Sequence, residues 1–199
     1  MVKVAVLVSG GGTNLQALID SSSRNEMPSC ELSLVISSKS SAYAIERAKQ
    51  NNIPVEIVEK TKEQSSQEYG LELIKTLKAH EIELVVLAGF LHILHENVIK
   101  AFPERIINIH PSLIPAFSGD GYYGLKVHEA ALQKGVKITG ATVHLVNEIT
   151  DGGKILAQKA VKVEDDDTAK TLQQRVMMEA EWILLPQVVE SQAKQMRCK

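Results

Sequence analysis

The sequence predicts an α/β fold: a single doubly wound, mostly parallel sheet, closed at its C-terminal end by an antiparallel hairpin and a terminal helix. Three observations predict it. Apolar, β-branched runs alternate with stretches of helical period through the first 110 residues. One of those runs, Leu84-Val85-Val86-Leu87-Ala88, is apolar on both faces, as a strand covered by helices on both sides must be. Beyond residue 136 two longer strand patterns are joined by Thr150-Asp151-Gly152-Gly153, a turn that favours antiparallel pairing.

The elements follow in order. Val2 to Val8 reads as the first strand and ends in Ser9-Gly10-Gly11-Gly12. Thr13 to Ser22 carries Leu15, Leu18 and Ile19 at helical spacing. Leu32 to Ile36 is a second strand and Ala42 to Gln50 a helix; Ile53-Pro54 turns the chain into a short strand, Val55 to Val58. Glu68 to His80 places Leu71, Ile74 and Leu77 on one helical face. Arg105 to Ile109 is the next strand, and Lys137 to Val146 and Lys154 to Val163 form the hairpin. A last helix, Thr168 to Gln192, carries Leu172, Val176, Ala180, Ile183 and Leu184 on one stripe, with Pro186 expected to kink it. Strands alternating with helices imply right-handed crossovers.

Composition narrows the function classes. A chain of 199 residues is the size of one domain and buries enough apolar surface to fold without staples. A net charge of −2 argues against a nucleic-acid or anionic-membrane binder, which would carry a basic surplus. Basic residues cluster only in the tail, at Lys194, Arg197 and Lys199. The acidic run Glu164-Asp165-Asp166-Asp167 reads as a solvated turn capping the last helix. Cys30 and Cys198 have no ligand spacing and read as free thiols of a cytoplasmic protein. No apolar run approaches the ~20 residues of a membrane helix.

Three segments have the residue types for chemistry. Ser9-Gly10-Gly11-Gly12-Thr13-Asn14 lets backbone approach a ligand and opens a helix N-terminus, a ready anion site. It lacks the P-loop lysine and the third glycine of a dinucleotide fingerprint, so it is either a grip for one phosphate or a tight turn. In Asn108-Ile109-His110-Pro111-Ser112, Asn108 and His110 project to one side of an extended strand while Ile109 faces the core. An amide donor beside an imidazole suits acyl transfer, which needs oxyanion stabilisation and a proton carrier; the bland alternative is a capped strand end. Asp151, in the hairpin turn, would favour the imidazolium of His110 if it lay nearby, or is an ordinary turn residue. His92, His95, His110, His128 and His144 sit on different elements with no cysteine or carboxylate at ligand spacing, so no metal site is expected.

Asn108-Ile109-His110-Pro111-Ser112-Leu113-Ile114-Pro115 resembles the folate-dependent formyltransferases, specifically those that act on glycinamide ribonucleotide. The likeness runs through nearly the whole chain. It takes in Val8-Ser9-Gly10-Gly11-Gly12-Thr13-Asn14-Leu15, Val86-Leu87-Ala88-Gly89-Phe90-Leu91, Gly140-Ala141-Thr142-Val143-His144 and Asp151-Gly152-Gly153. The resemblance implies formyl transfer from 10-formyltetrahydrofolate, as co-substrate, to the amine of glycinamide ribonucleotide in purine biosynthesis, without metal or covalent enzyme intermediate. By matching positions it implies that Asn108, His110 and Asp151 are catalytic. Gly11, Gly12, Thr13, Asn14 and Glu181 would bind the ribonucleotide. Leu91, His92, Ile93 and Leu94, with Asn108 and with Asn147, Glu148, Ile149, Thr150 and Asp151, would bind the folate. His92 and Ser66 stand where the family often has arginine, and Met178 where it often has a polar residue. The loop Ser118 to Gly124, with three glycines, reads equally as a mobile flap or a surface loop.

Residues 1–199 are thus read as a single catalytic domain, 1–110 forming the phosphate-binding half and 111–199 the folate loop, hairpin and terminal helix. The expected partners are the two small-molecule substrates, in a monomer or homodimer. Three alternatives stay in view. A 10-formyltetrahydrofolate hydrolase shares the trio but is expected to have an N-terminal regulatory domain, and a methionyl-tRNA formyltransferase a basic C-terminal one. A non-catalytic nucleotide-binding module would leave His110 and Asp151 dispensable.

Overall fold

Seven strands form one sheet in the order β3-β2-β1-β4-β5-β6-β7, as seen in a computed structural model that describes residues 1–198. Lys199 of the basic tail lies outside the described residues. Strands β1 (Val2–Val8), β2 (Cys30–Ser37), β3 (Val55–Ile57), β4 (Leu84–Leu87) and β5 (Ile106–His110) are mutually parallel. β6 (Ile138–Leu145) runs antiparallel to β5, and β7 (Ile155–Lys162) antiparallel to β6. The predicted α/β class, parallel core and C-terminal hairpin are all present.

The winding explains why the central strands lack polar alternation. Val4, Val6 and Val8 of β1 join an apolar cluster with Leu15 and Leu18 of α1 (Thr13–Ser23). Ala5 and Leu7 point the other way, into a second cluster with Leu73 and Leu77 of α3 (Ser66–Ala79). Both faces of the strand are therefore buried. From β1 the chain winds outward through β2 and β3, then returns to β4 and β5 on the opposite side. Loops leaving the carboxyl ends of β1 and β4 diverge at that reversal, the place where open α/β sheets bind ligands.

α3 starts ahead of the expected Glu68, because Ser65 caps it through a reciprocal bond pair with Glu68. α2 (Ala44–Gln50) starts two residues after the predicted Ala42. Two helices escape the sequence reading. α4 (Glu96–Ala101) has only six residues, too few for a period to register. α5 (Leu125–Lys134) has a buried stripe of Val127, His128 and Ala131, in which an imidazole stands where an apolar residue signals a helix.

The terminal helix is interrupted elsewhere than expected. α6 (Ala169–Val176) passes through a π-helical turn, Met177–Glu181, into α7 (Trp182–Arg197), which contains Pro186 and runs beyond Gln192. Pro186 is only the fifth residue of α7, so the bond it cannot donate would go to Trp182, beside the turn where the ladder is already irregular. The acidic run is a turn, but the cap of α6 is Thr168, in a capping box with Thr171. Asp167 instead pairs with Arg175, at 2.5 and 2.7 Å.

Candidate active site

β5 ends in the Asn-Ile-His triplet, and the pleat separates its side chains as expected. Ile109 enters the core, while Asn108 and His110 face a cavity of about 470 Å³. β6 lies antiparallel against β5 with His144 directly opposite Asn108. The turn after β6 returns Asp151 to the same place. Asp151 has φ 54°, a left-handed conformation that aspartate tolerates better than most residues. The turn closes tightly because Gly153 lets the backbone pass Leu145: a Cβ there would lie 1.7 Å from its carbonyl oxygen.

Four polar side chains meet at this point. The Asp151 carboxylate lies 3.4 Å from His110 Nδ1 and 3.5 Å from His144 Nε2, and it accepts from the Gly119 amide at 2.9 Å. His110 Nε2 donates to the Phe117 carbonyl at 2.8 Å. Both His110 nitrogens thus face oxygens that only accept, an arrangement the doubly protonated ring satisfies. His144 Nδ1 donates to the Leu145 carbonyl (2.8 Å), leaving Nε2 to accept from Asn108 Nδ2 at 3.1 Å. The second hydrogen of that amide reaches Asp151 at 3.4 Å. Burial works to raise the Asp151 pKa, but the adjacent His144 ring, the bond from the Gly119 amide and the His110 imidazole outweigh it, holding the carboxyl below the usual aspartate value.

The cavity walls come from the loop after β4, the 119–124 loop and the turn after β6. All the residues expected at the folate line it: Leu91, His92, Ile93, Leu94, Asn108, Asn147, Glu148, Ile149, Thr150 and Asp151. The His92 ring packs on Tyr69 and Phe90, with centroids 5.3 and 5.7 Å away. Its pKa is lowered, by burial first and then by Lys60 and Lys39.

The residues expected at the ribonucleotide form a second, neighbouring group. Gly12 has φ 70°, and a Cβ there would meet that of Ala44 at 2.6 Å, so the turn needs glycine. Arg47 braces it by donating to the Gly11 carbonyl at 2.8 Å. α1 then begins without a side-chain cap or an acidic residue in its first turn, leaving its first amides open to an anion. Asn14 donates to Glu181 at 2.6 Å across 167 residues of sequence. Burial pushes the Glu181 pKa up, against that bond, and the buried Asn14 Oδ1 has no partner among the described residues. Met178 lies exposed on the same π turn.

A sequence profile described as formyl transferase matches residues 2–189. The chain belongs to the formyl transferase family. A phosphoribosylglycinamide formyltransferase from Vigna unguiculata, named as chloroplastic, is 40 % identical over 189 residues, 95 % of the chain and 60 % of that relative. The chain thus spans about three-fifths of the plant relatives it matches. A phosphoribosylglycinamide formyltransferase from Bacillus subtilis is 37 % identical, covering 92 % of the chain and 91 % of the relative. Among solved structures, glycinamide ribonucleotide transformylase 1 from Symbiobacterium toebii superposes with a TM-score of 0.91 at 36 % identity, over 98 % of this chain and 89 % of that one.

Further groups to which no motif assigned a role also join the cluster. His144, in the sequence one of five scattered histidines and the end of the Gly140–His144 motif, is the hydrogen-bond partner of Asn108, through a pairing of β6 with β5 that local pattern does not reveal. The Phe117 carbonyl and Gly119 amide are backbone groups and carry no sequence signal. Among the described residues, no group of three or more His, Cys, Asp or Glu side chains is arranged to hold a metal ion.

Proposed function

We propose that the protein transfers the formyl group of 10-formyltetrahydrofolate to the amine of glycinamide ribonucleotide, a step of purine biosynthesis. The observation that carries this reading is the meeting of Asn108, His110 and Asp151 in the wall of a cavity beside the open glycine loop. Gly11, Gly12, Thr13 and Asn14 hold the ribonucleotide phosphate through backbone amides, with Glu181 on the ribose. The folate lies in the cavity along Leu91–Leu94 and Asn147–Asp151, against the aliphatic side chains of Leu91, Ile93, Leu94 and Ile149. Residues 1–110 supply the phosphate-binding half and 111–199 the rest of one catalytic domain.

The chemistry follows from the hydrogen bonds. The substrate amine attacks the formyl carbon, forming a C–N bond and placing negative charge on the formyl oxygen. The Asn108 hydrogen that reaches Asp151 at 3.4 Å is the weaker of its two bonds and is the one the oxyanion captures, while His144 keeps the amide oriented. The His110 imidazolium supplies the second donor once Nε2 leaves the Phe117 carbonyl. Asp151 stays ionised opposite it, and the amine proton passes through this pair to N10 of the departing tetrahydrofolate as the C–N10 bond breaks. Both cysteines are free, which fits a reducing, cytoplasmic location.

The test is a spectroscopic assay with 10-formyl-5,8-dideazafolate, with and without glycinamide ribonucleotide. Turnover that requires the amine is expected. Turnover without it would make the protein a hydrolase, and none at all would leave a binding module.

A further inference from the structure

The phosphate-side and folate-side loops leave neighbouring parallel strands, and one hydroxyl joins them. Ser9, the residue after β1, is 5 % exposed and stands at the root of the glycine loop. Its Oγ accepts from the Leu91 amide at 2.9 Å and lies 2.6 Å from the Oγ of Ser38, itself buried just beyond β2. Ser38 is in turn held by its backbone amide to the Val8 carbonyl, at 3.0 Å. A hydroxyl has one proton and two lone pairs, so with one lone pair given to Leu91 Ser9 can still share either its proton or its second lone pair with Ser38.

The folate-side segment depends on this contact. Ala88 is tied to Leu7 by its amide, and regular structure resumes with His95 capping α4. Between them, residues 89–94 make a single backbone hydrogen bond among the described residues, from Leu91 to Ser9. The Leu91 and Ile93 side chains are exposed and line the cavity, whereas Phe90, His92 and Leu94 pack toward Tyr69, so the Ser9 bond is the polar anchor of the exposed part of that stretch. We propose that Ser9 is a positioning residue, setting the folate-side wall from the root of the phosphate-side loop through the Leu91 amide. The inference rests on the reading of that cavity as the folate site.

Ser9→Ala tests it, with Ser38→Ala as the control that keeps the Ser9–Leu91 bond. Losing one buried hydrogen bond predicts a rise of about tenfold in KM for 10-formyl-5,8-dideazafolate in Ser9→Ala. Its kcat at saturation and its KM for the ribonucleotide stay within about twofold. Ser38→Ala is expected to shift the folate KM by less than about threefold. Amide hydrogen exchange, which needs no activity, is expected to turn fast at Leu91 in Ser9→Ala and remain slow in Ser38→Ala. An active Ser9→Ala variant with unchanged folate KM, equal effects of the two substitutions, or unaltered Leu91 exchange would overturn the proposal. If the Leu91 exchange behaves as expected while the wild-type protein shows no folate-dependent turnover, the reading of the cavity fails and the positioning role stands.

Discussion

The two regions read as substrate sites are built on opposite plans. At the glycine loop the groups open to a ligand are backbone amides of one short segment, braced by Arg47 on the Gly11 carbonyl and joined through Asn14 to the distant Glu181. At the end of β5 the working groups are side chains from β5, β6 and the turn beyond, with loop backbone closing the network. The difference teaches what each task demands. Holding an anion needs oriented donors, which a helix start supplies locally and without ionisable groups. Moving protons needs titratable groups at defined separations, and these must be gathered from across the chain. A net charge of −2 in a protein read as gripping two anionic ligands fits this division.

Substitutions that separate turnover from binding test the comparison most sharply. His110→Ala is expected to lower kcat by about 10³-fold with the ribonucleotide KM little changed, because it removes both a donor and the proton carrier. Steady-state rates, with circular dichroism to check folding, measure this; a variant with wild-type turnover would remove His110 from the chemistry. Asp151→Asn keeps the shape but loses the charge opposite His110, and kcat should fall about 10²-fold. Asn14→Leu acts in the other region: it removes the bond to Glu181 that sets the loop and its amides, raising the ribonucleotide KM about 30-fold. Calorimetry showing unchanged ribonucleotide affinity would refute the phosphate assignment.

The smallest catalytic effect is expected beside the cluster, at His128. This ring is fully buried, and neither nitrogen has a partner among the described residues. Burial, aided by His110, lowers its pKa to about 4. The unfolded chain therefore takes up a proton near pH 6.5 while the folded protein refuses it until about pH 4. Stability is lost as pH falls through that window, by up to about 3 kcal/mol. His128→Leu should abolish this loss in denaturant titrations at pH 7 and pH 4.5, with kcat within a few-fold of wild type. A large loss of turnover would move His128 from scaffold to chemistry.

Legibility in the sequence follows the same divide. The glycine loop announced itself because its residues are contiguous, and Asn108 with His110 because a pleat of period two puts them on one side. The hairpin was readable, but its pairing with β5 was not, so His144 looked like an isolated histidine. The helix carrying His128 stayed hidden because its buried stripe includes an imidazole. Pro186 drew attention to an interruption that the structure places at Met177–Glu181 instead, as a π-helical turn.

By itself the sequence determined the order of the strands, the apolar parallel core, the two glycine turns and the chemical types available at each. Those properties are set by neighbours within one or two turns of chain, where periodicity and backbone preference act. Only the tertiary structure decided that Asp151 lies against His110, that His144 orients Asn108, that Glu181 reaches Asn14, and that Ser9 holds Leu91. Such meetings depend on strand register and on chain returns across 30 to 170 residues, which packing of the whole core selects and no local pattern encodes.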